Sequence, residues 1–187
     1  LVTGGITYAT KNGDGYEFAT YYTDLTSHLI FDSNYGTGIS EDGHYLVGYT
    51  LFGTPLLYDT ITQTQNESLT YESALIAPPQ EMAVYSVSNT GVAVASLILS
   101  PTVQVGTYCI NSTSVCTSVT PAESNNLGFL RTITPDGSLM YGYTISPTNK
   151  FQIFSFTPAT NTIKPLVDNY FIQDDIMTSD GTVVISK

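Results

Sequence analysis

Chemistry needs side chains that ionise, attack or ligate, and this chain carries few. Its basic residues are Lys11, Arg131, Lys150, Lys164 and Lys187 alone, and none lies between Asn12 and Leu130. The histidines, His28 and His44, fall in or beside segments that read as strands. A Ser-His-Asp set can be written from His44, Asp42 and a serine, but a chain this rich in Ser and Thr makes such a set uninformative. G-x-S-x-G, H-E-x-x-H and phosphate-loop motifs are absent. Paired carboxylates occur at Glu41-Asp42 and Asp174-Asp175. Two carboxylates flanking a scissile bond are the equipment of a glycosidase. Turn geometry accounts for Asp42 instead, and Asp174-Asp175 lacks the ligand spacing of a calcium loop. The expectation is no catalytic residue, no cofactor and no metal site.

Cys109 and Cys116 carry a firmer expectation. They flank Ile110-Asn111-Ser112-Thr113-Ser114-Val115. Folded about Ser112-Thr113, this stretch brings Ile110 to Val115 and Cys109 to Cys116 on one sheet face. Opposed strand positions are close enough for a disulfide, which is preferred here to two buried thiols. Asn66-Glu67-Ser68 and Asn111-Ser112-Thr113 are glycosylation sequons. Asn111, at the expected hairpin tip, is the better acceptor of the two.

The 187 residues are 42% hydrophobic and only 11% charged, with formal net charge −11. That suits one domain with a packed core, or part of a larger one. It excludes a phosphate-tracking basic surface, so nucleic acid is a poor partner. No apolar run approaches the roughly 18 residues of a spanning helix, so membrane insertion is not expected. Thr, Ser and 14 Tyr supply the polarity that charge usually supplies. A hydroxyl-rich, Lys-poor surface and a hairpin disulfide point to an extracellular, cell-surface or virion setting.

The elements that must position these residues repeat along the chain. Ile39-Ser40-Glu41-Asp42-Gly43-His44-Tyr45-Leu46-Val47-Gly48 is matched by 87–96, by 133–142 and by 177–186, and more loosely by 12–21. Gly15, Gly43, Gly91, Gly137 and Gly181 align as turn glycines free to take positive φ. Asp14, Asp42, Asp136 and Asp180 precede four of them, an Asp-Gly hairpin signal. Three residues past each glycine stand Phe18, Leu46, Val94, Met140 and Val184, all apolar. Five past it stand Thr20, Gly48, Ser96, Gly142 and Ser186, all small, which predicts close approach of a neighbouring sheet. A third strand follows at 28–33, 55–60, 105–110 and 151–156, and a fourth at 64–70, 114–120 and 161–167. Residues 71–77 could form a helical turn before Pro78-Pro79.

The glycines are separated by 28, 48, 46 and 44 residues. Four-stranded units at that period predict an all-β propeller, its blades at about 5–33, 37–72, 83–120, 127–167 and 170–187. The first blade lacks a fourth strand and the last has two. Counted through Lys187 and on from Leu1, Gly43 lies 49 positions beyond Gly181, so the ends could share one blade of a four-bladed ring. The side-chain columns favour a separate first blade, with the ring completed by further chain or a partner.

Thr134-Pro135-Asp136-Gly137 resembles the turn that opens TolB-like and WD-type propeller blades. Gly38-Ile39-Ser40-Glu41-Asp42-Gly43 and Ser27-His28-Leu29-Ile30-Phe31-Asp32 look still more like the HAF-type extracellular repeat. The third-strand Trp of that repeat is replaced by Phe31, Tyr58, Tyr108 and Phe154. The resemblance implies a scaffold. The expected function is a non-enzymatic surface or interaction module, such as a coat, appendage or adhesion component. It would meet a protein partner or its own copies, with carbohydrate as a further candidate ligand. A carbohydrate-active hydrolase using carboxylates and a periplasmic TolB-like accessory protein are the alternatives.

Overall fold

The computed structural model describes residues 6–12, 15–21, 27–31, 34–50, 55–66, 69–71, 81–100, 103–119, 128–145, 151–170, 175–177 and 183–185. They form five successive sheets. The first is a three-stranded meander of β1 (Ile6–Asn12), β2 (Gly15–Tyr21) and β3 (Ser27–Phe31). The second holds β4 (Asn34–Ile39), β5 (Tyr45–Thr50), β6 (Pro55–Asp59) and β7 (Thr64–Asn66) in chain order. The chain then forms β8 (Thr70–Tyr71), β9 (Glu81–Val87), β10 (Val92–Ser100), β11 (Val103–Ile110) and β12 (Val115–Val119), a third sheet ordered β8-β12-β11-β10-β9. The fourth is β13 (Gly128–Ile133), β14 (Met140–Ile145), β15 (Phe151–Thr157) and β16 (Thr162–Tyr170). A last hairpin pairs β17 (Asp175–Met177) with β18 (Val183–Ile185). The one helical element among the described residues is a 3-10 turn at Pro158–Thr160.

Period-two alternation explains how these sheets stack. In β10, Ala93, Ala95 and Leu97 face one way, into a core shared with Val47 and Leu57 of the second sheet. Val94 faces the other way, into a core with Leu130, Met140, Phe154 and Phe156 of the fourth. The apolar column of the repeat lies inside: Leu46, Val94 and Met140 are all buried. The first strands lie side by side as well, with β9 against both β4 and β13.

Two expectations change. The fourth strand expected at 64–70 is divided. Residues Thr64–Asn66 close their own sheet, whereas Thr70–Tyr71 joins the next one, parallel to β12, with Thr70 opposite Val115. Asn66 marks the departure, because its side-chain amide bonds across to Asn111 and Ser114 of the next sheet's hairpin. Tyr71 is thus a strand residue, and the helical turn proposed after it lies outside the described residues. At Gly142 the atoms nearest to where a side chain would stand belong to its own sheet. A Cβ there would fall on the Phe129 carbonyl oxygen of its own sheet, beside the bulge between Leu130 and Thr132. The turn glycines take the positive φ that the repeat predicts. Gly43, Gly91 and Gly137 have φ of 73°, 75° and 77°, while Asp42 and Asp136 are not left-handed. β2 pairs with β1 and β3, and β18 with β17, so the chain ends do not share a sheet among the described residues.

A second turn column emerges that the repeat alignment did not contain. The residue just before each fourth strand is left-handed: Gln63 at φ 56°, Ser114 at 56° and Asn161 at 50°. Each closes a turn that a glycine would close with less strain.

Two substitutions should therefore act in opposite directions. Gly142→Ala is expected to destabilise by about 1–3 kcal/mol, because the bulge must open. Gln63→Gly is expected to stabilise by up to about 1 kcal/mol. Urea midpoints of both variants test this; a neutral Gly142→Ala would show that β13 and β14 are not held at this spacing.

Candidate interaction site

The repeat turns are built alike. In the first, Ser40 Oγ donates to Asp42 Oδ1 at 2.7 Å and accepts from the Tyr45 amide at 2.9 Å, while the His44 amide reaches Asp42 Oδ1 at 3.0 Å. Thr134 repeats this with Asp136 Oδ1 at 2.6 Å and the Leu139 amide at 3.1 Å. Where Thr90 replaces the aspartate, Ser88 Oγ pairs with Thr90 Oγ1 at 2.8 Å and accepts from the Val92 amide at 3.1 Å. Successive turns also touch. The Asp42 amide donates to Asn89 Oδ1 at 3.2 Å, and the Asn89 amide donates to the Pro135 carbonyl at 2.7 Å. Gly15 opens β2; Asp14, Asp180 and Gly181 lie outside the described residues.

His44 binds Asp59 rather than a serine, with Nε2 to Oδ1 at 3.1 Å, and stacks on Tyr45 at 4.0 Å between ring centroids. Asp59 Oδ1 also accepts the Ile61 and Thr62 amides at 2.9 and 3.0 Å, which fixes the β6–β7 turn. Burial pushes the Asp59 carboxyl up, but the Thr62 and Ile61 amides and the facing His44 outweigh it, so it is held below its ordinary value. Burial, then Asp59 and Asp42, push the Tyr45 phenol up. The Thr134 hydroxyl and then the Ser138 amide and hydroxyl hold Asp136 down. Ser40 is tied to Asp42 and the Tyr45 amide, so it is not poised on His44 as a nucleophile. Asp175 begins β17, and Asp174 lies outside the described residues. Among the described residues no cluster of His, Cys, Asp and Glu could hold a metal ion.

Cys109 and Cys116 form a disulfide, opposite one another in the β11–β12 ladder and fully buried. Asn111, in the turn between them, meets Asn66: the Asn66 amide donates to Asn111 Oδ1 at 3.1 Å and to Ser114 Oγ at 2.9 Å.

A cluster absent from the sequence expectations lies on β9, β13 and β14. The Arg131 guanidinium carbon sits 4.0 Å above the Tyr85 ring and 5.6 and 5.7 Å from the centres of Phe129 and Tyr143. Its Nη2 donates to the Tyr143 hydroxyl at 3.1 Å, and Phe129 stacks on Tyr143 at 4.5 Å. All four residues are half-buried. Period two in Phe129-Leu130-Arg131 puts the aromatic ring and the cation on one face, and this was the available signal. Tyr85 comes from the preceding repeat, so only the stacking of sheets brings it near.

Comparison with solved structures settles the architecture. TolB from Acinetobacter baumannii superposes with TM-score 0.61 over 95% of this chain and 45% of its own, at 16% identity. The β-propeller domain of Myceliophteria thermophila Cps50 (Swd1) gives 0.53 over 96% of this chain and 62% of its own, at 14% identity. The fold is a β-propeller. A complex of KlAtg21 with the coiled-coil of AgAtg16 gives 0.59 over 98% of this chain and 61% of its own, at 12% identity. The chain thus spans between about half and two thirds of the length of these propellers. No family model matches it, and no curated protein does. The TolB-like and WD-type resemblance agrees with these neighbours; the HAF-type pattern rests on the residues alone.

The carboxylates of the turns set the acid response. A depressed carboxyl adds stability above its unfolded value of about 3.9, and that stability is lost as pH falls through the lower folded value. Stability is expected to drop below about pH 4, and Asp59→Asn and Asp136→Asn should each make the drop shallower. Equal slopes in all three proteins, measured by urea unfolding across that range, would show that these bonds do not favour the ionised form.

Proposed function

We propose that this chain is an interaction β-propeller of an oxidising, extracellular or surface setting, with no catalysis of its own. The observation that carries the reading is the half-buried Arg131 held among Tyr85, Phe129 and Tyr143. Arginine and tyrosine are the residues that dominate protein–protein contact energy, because they offer large, ordered surface with directed donors. Here two repeats combine to present them. The disulfide supports an oxidising compartment. The bonds that tie Asp42, Asp59 and Asp136 to turn hydroxyls and amides support a structural role for the carboxylates. A protein partner fits better than carbohydrate, since the Tyr85 face is already covered by the guanidinium.

The likeness to TolB favours a second reading, a periplasmic accessory protein with a protein partner.

Quantitative cross-linking in extracellular or periplasmic material of the source tests the contact. Cross-links to a partner are expected to fall at least about tenfold in Arg131→Ala, a loss of about 1.4 kcal/mol, with the circular dichroism unchanged. Undiminished cross-links would overturn the site, and a hydrolytic activity abolished by Asp175→Asn would overturn the non-enzymatic reading.

A further inference from the structure

The two sequons meet, and their hydrogen bonds separate them. The Asn66 amide faces the Asn111 carbonyl oxygen at 3.4 Å, an atom that can only accept. The Asn66 atom there is therefore the donor Nδ2, which also reaches Ser114 Oγ at 2.9 Å. The Asn111 side-chain atom facing that donor at 3.1 Å must in turn be its oxygen. This turns Asn111 Nδ2 away from Asn66. Ser96 Oγ is the one buried polar side-chain atom without a partner among the described residues. Asn111 Nδ2 makes no hydrogen bond to a described residue, and Asn111 itself is half-exposed at the hairpin tip. Ser112 and Thr113, which complete the sequon, are exposed.

We propose that Asn111 is an N-glycan attachment site and that Asn66 is closed to the same modification. In the step, Asn111 Nδ2 attacks the anomeric carbon of an activated sugar carried on a diphosphate. The carbon–nitrogen bond forms, the carbon–oxygen bond to the diphosphate breaks, and one amide proton leaves to the transferase. Asn111 Oδ1 keeps its role as acceptor for Asn66 throughout, so the hairpin tip tolerates the sugar. The same reaction at Asn66 removes one of the two N–H donors that join its sheet to the next. The disulfide two residues before Asn111 holds the tip at the surface end of its hairpin. A glycan there is independent of any contact at Arg131, because the tip lies on β11–β12 and the arginine on β13.

Secretion from a eukaryotic cell that attaches N-glycans, followed by amidase release in heavy-oxygen water and peptide mapping, tests this on the disulfide-bonded protein. The label is expected at position 111 and absent at position 66. Thr113→Ala should abolish the glycan while leaving the Asn111 side-chain contacts in place, and Asn66→Gln should retain it. Unmodified Asn111, or a glycan at Asn66, in the folded wild-type chain would overturn the proposal.

Discussion

The third sheet is buried on both faces, and that constraint governs the rest of the structure. A sheet covered on one side needs apolar residues at alternate positions only; one covered on both needs them at almost every position. β10 meets this with Val92-Ala93-Val94-Ala95-Ser96-Leu97-Ile98-Leu99, in which both faces are small or apolar. Little surface on this strand remains for charge, and it carries none. The turns and edges carry the solubility instead, through Ser, Thr, Asn and Asp. Among the described residues, the one buried hydroxyl without a partner, Ser96 Oγ, sits on this strand.

Stacking sheets face to face fixes how far their ends lie apart, and the turns exploit it. Each repeat turn closes on itself through a hydroxyl, Ser40, Ser88 or Thr134, that accepts the amide of the returning strand. The main chain of one turn then reaches the next, from Asp42 to Asn89 and from Asn89 to Pro135. The aspartates act through their carboxylates and not through their backbone angles. Asp-Gly is favoured here because glycine supplies the left-handed position and aspartate supplies the acceptor. Thr90 shows that a hydroxyl can substitute for the second of these tasks.

What could be read from the residues followed the physics of each feature. The apolar column Leu46, Val94 and Met140 was visible because burial on a strand has a fixed period of two. The Cys109–Cys116 register was visible because a hairpin of known length permits one pairing. The left-handed positions of Gln63, Ser114 and Asn161 were not, since three different residue types adopt a conformation that only glycine advertises. The strand Thr70–Tyr71 was hidden for another reason. Its partner, β12, lies later in the chain and in a different repeat, so no local pattern announces the pairing. Arg131 was visible as an isolated cation, but its aromatic surroundings needed Tyr85 from the repeat before it.

Two of these hidden features, the left-handed Ser114 and the strand Thr70–Tyr71, meet at the β11–β12 hairpin. Its tip receives Asn66 from the second sheet and donates the Asn111 amide to the Gly91 carbonyl of the β9–β10 turn, and its outer strand carries Thr70–Tyr71 on its free edge. The disulfide lies inside this junction, with Cys116 opposite Tyr71 and both sulfurs within the core shared with Val47 and Leu57. Cross-linking a hairpin that closes only a short loop restricts the unfolded chain modestly. Its larger effect is on the folded side. By holding β12 in register with β11, the bond presents an ordered edge to which the preceding linker can add as a parallel strand. An edge left open would invite pairing with another chain. Here Thr70–Tyr71 covers the first two residues of that edge, Val115 and Cys116, from within the same chain.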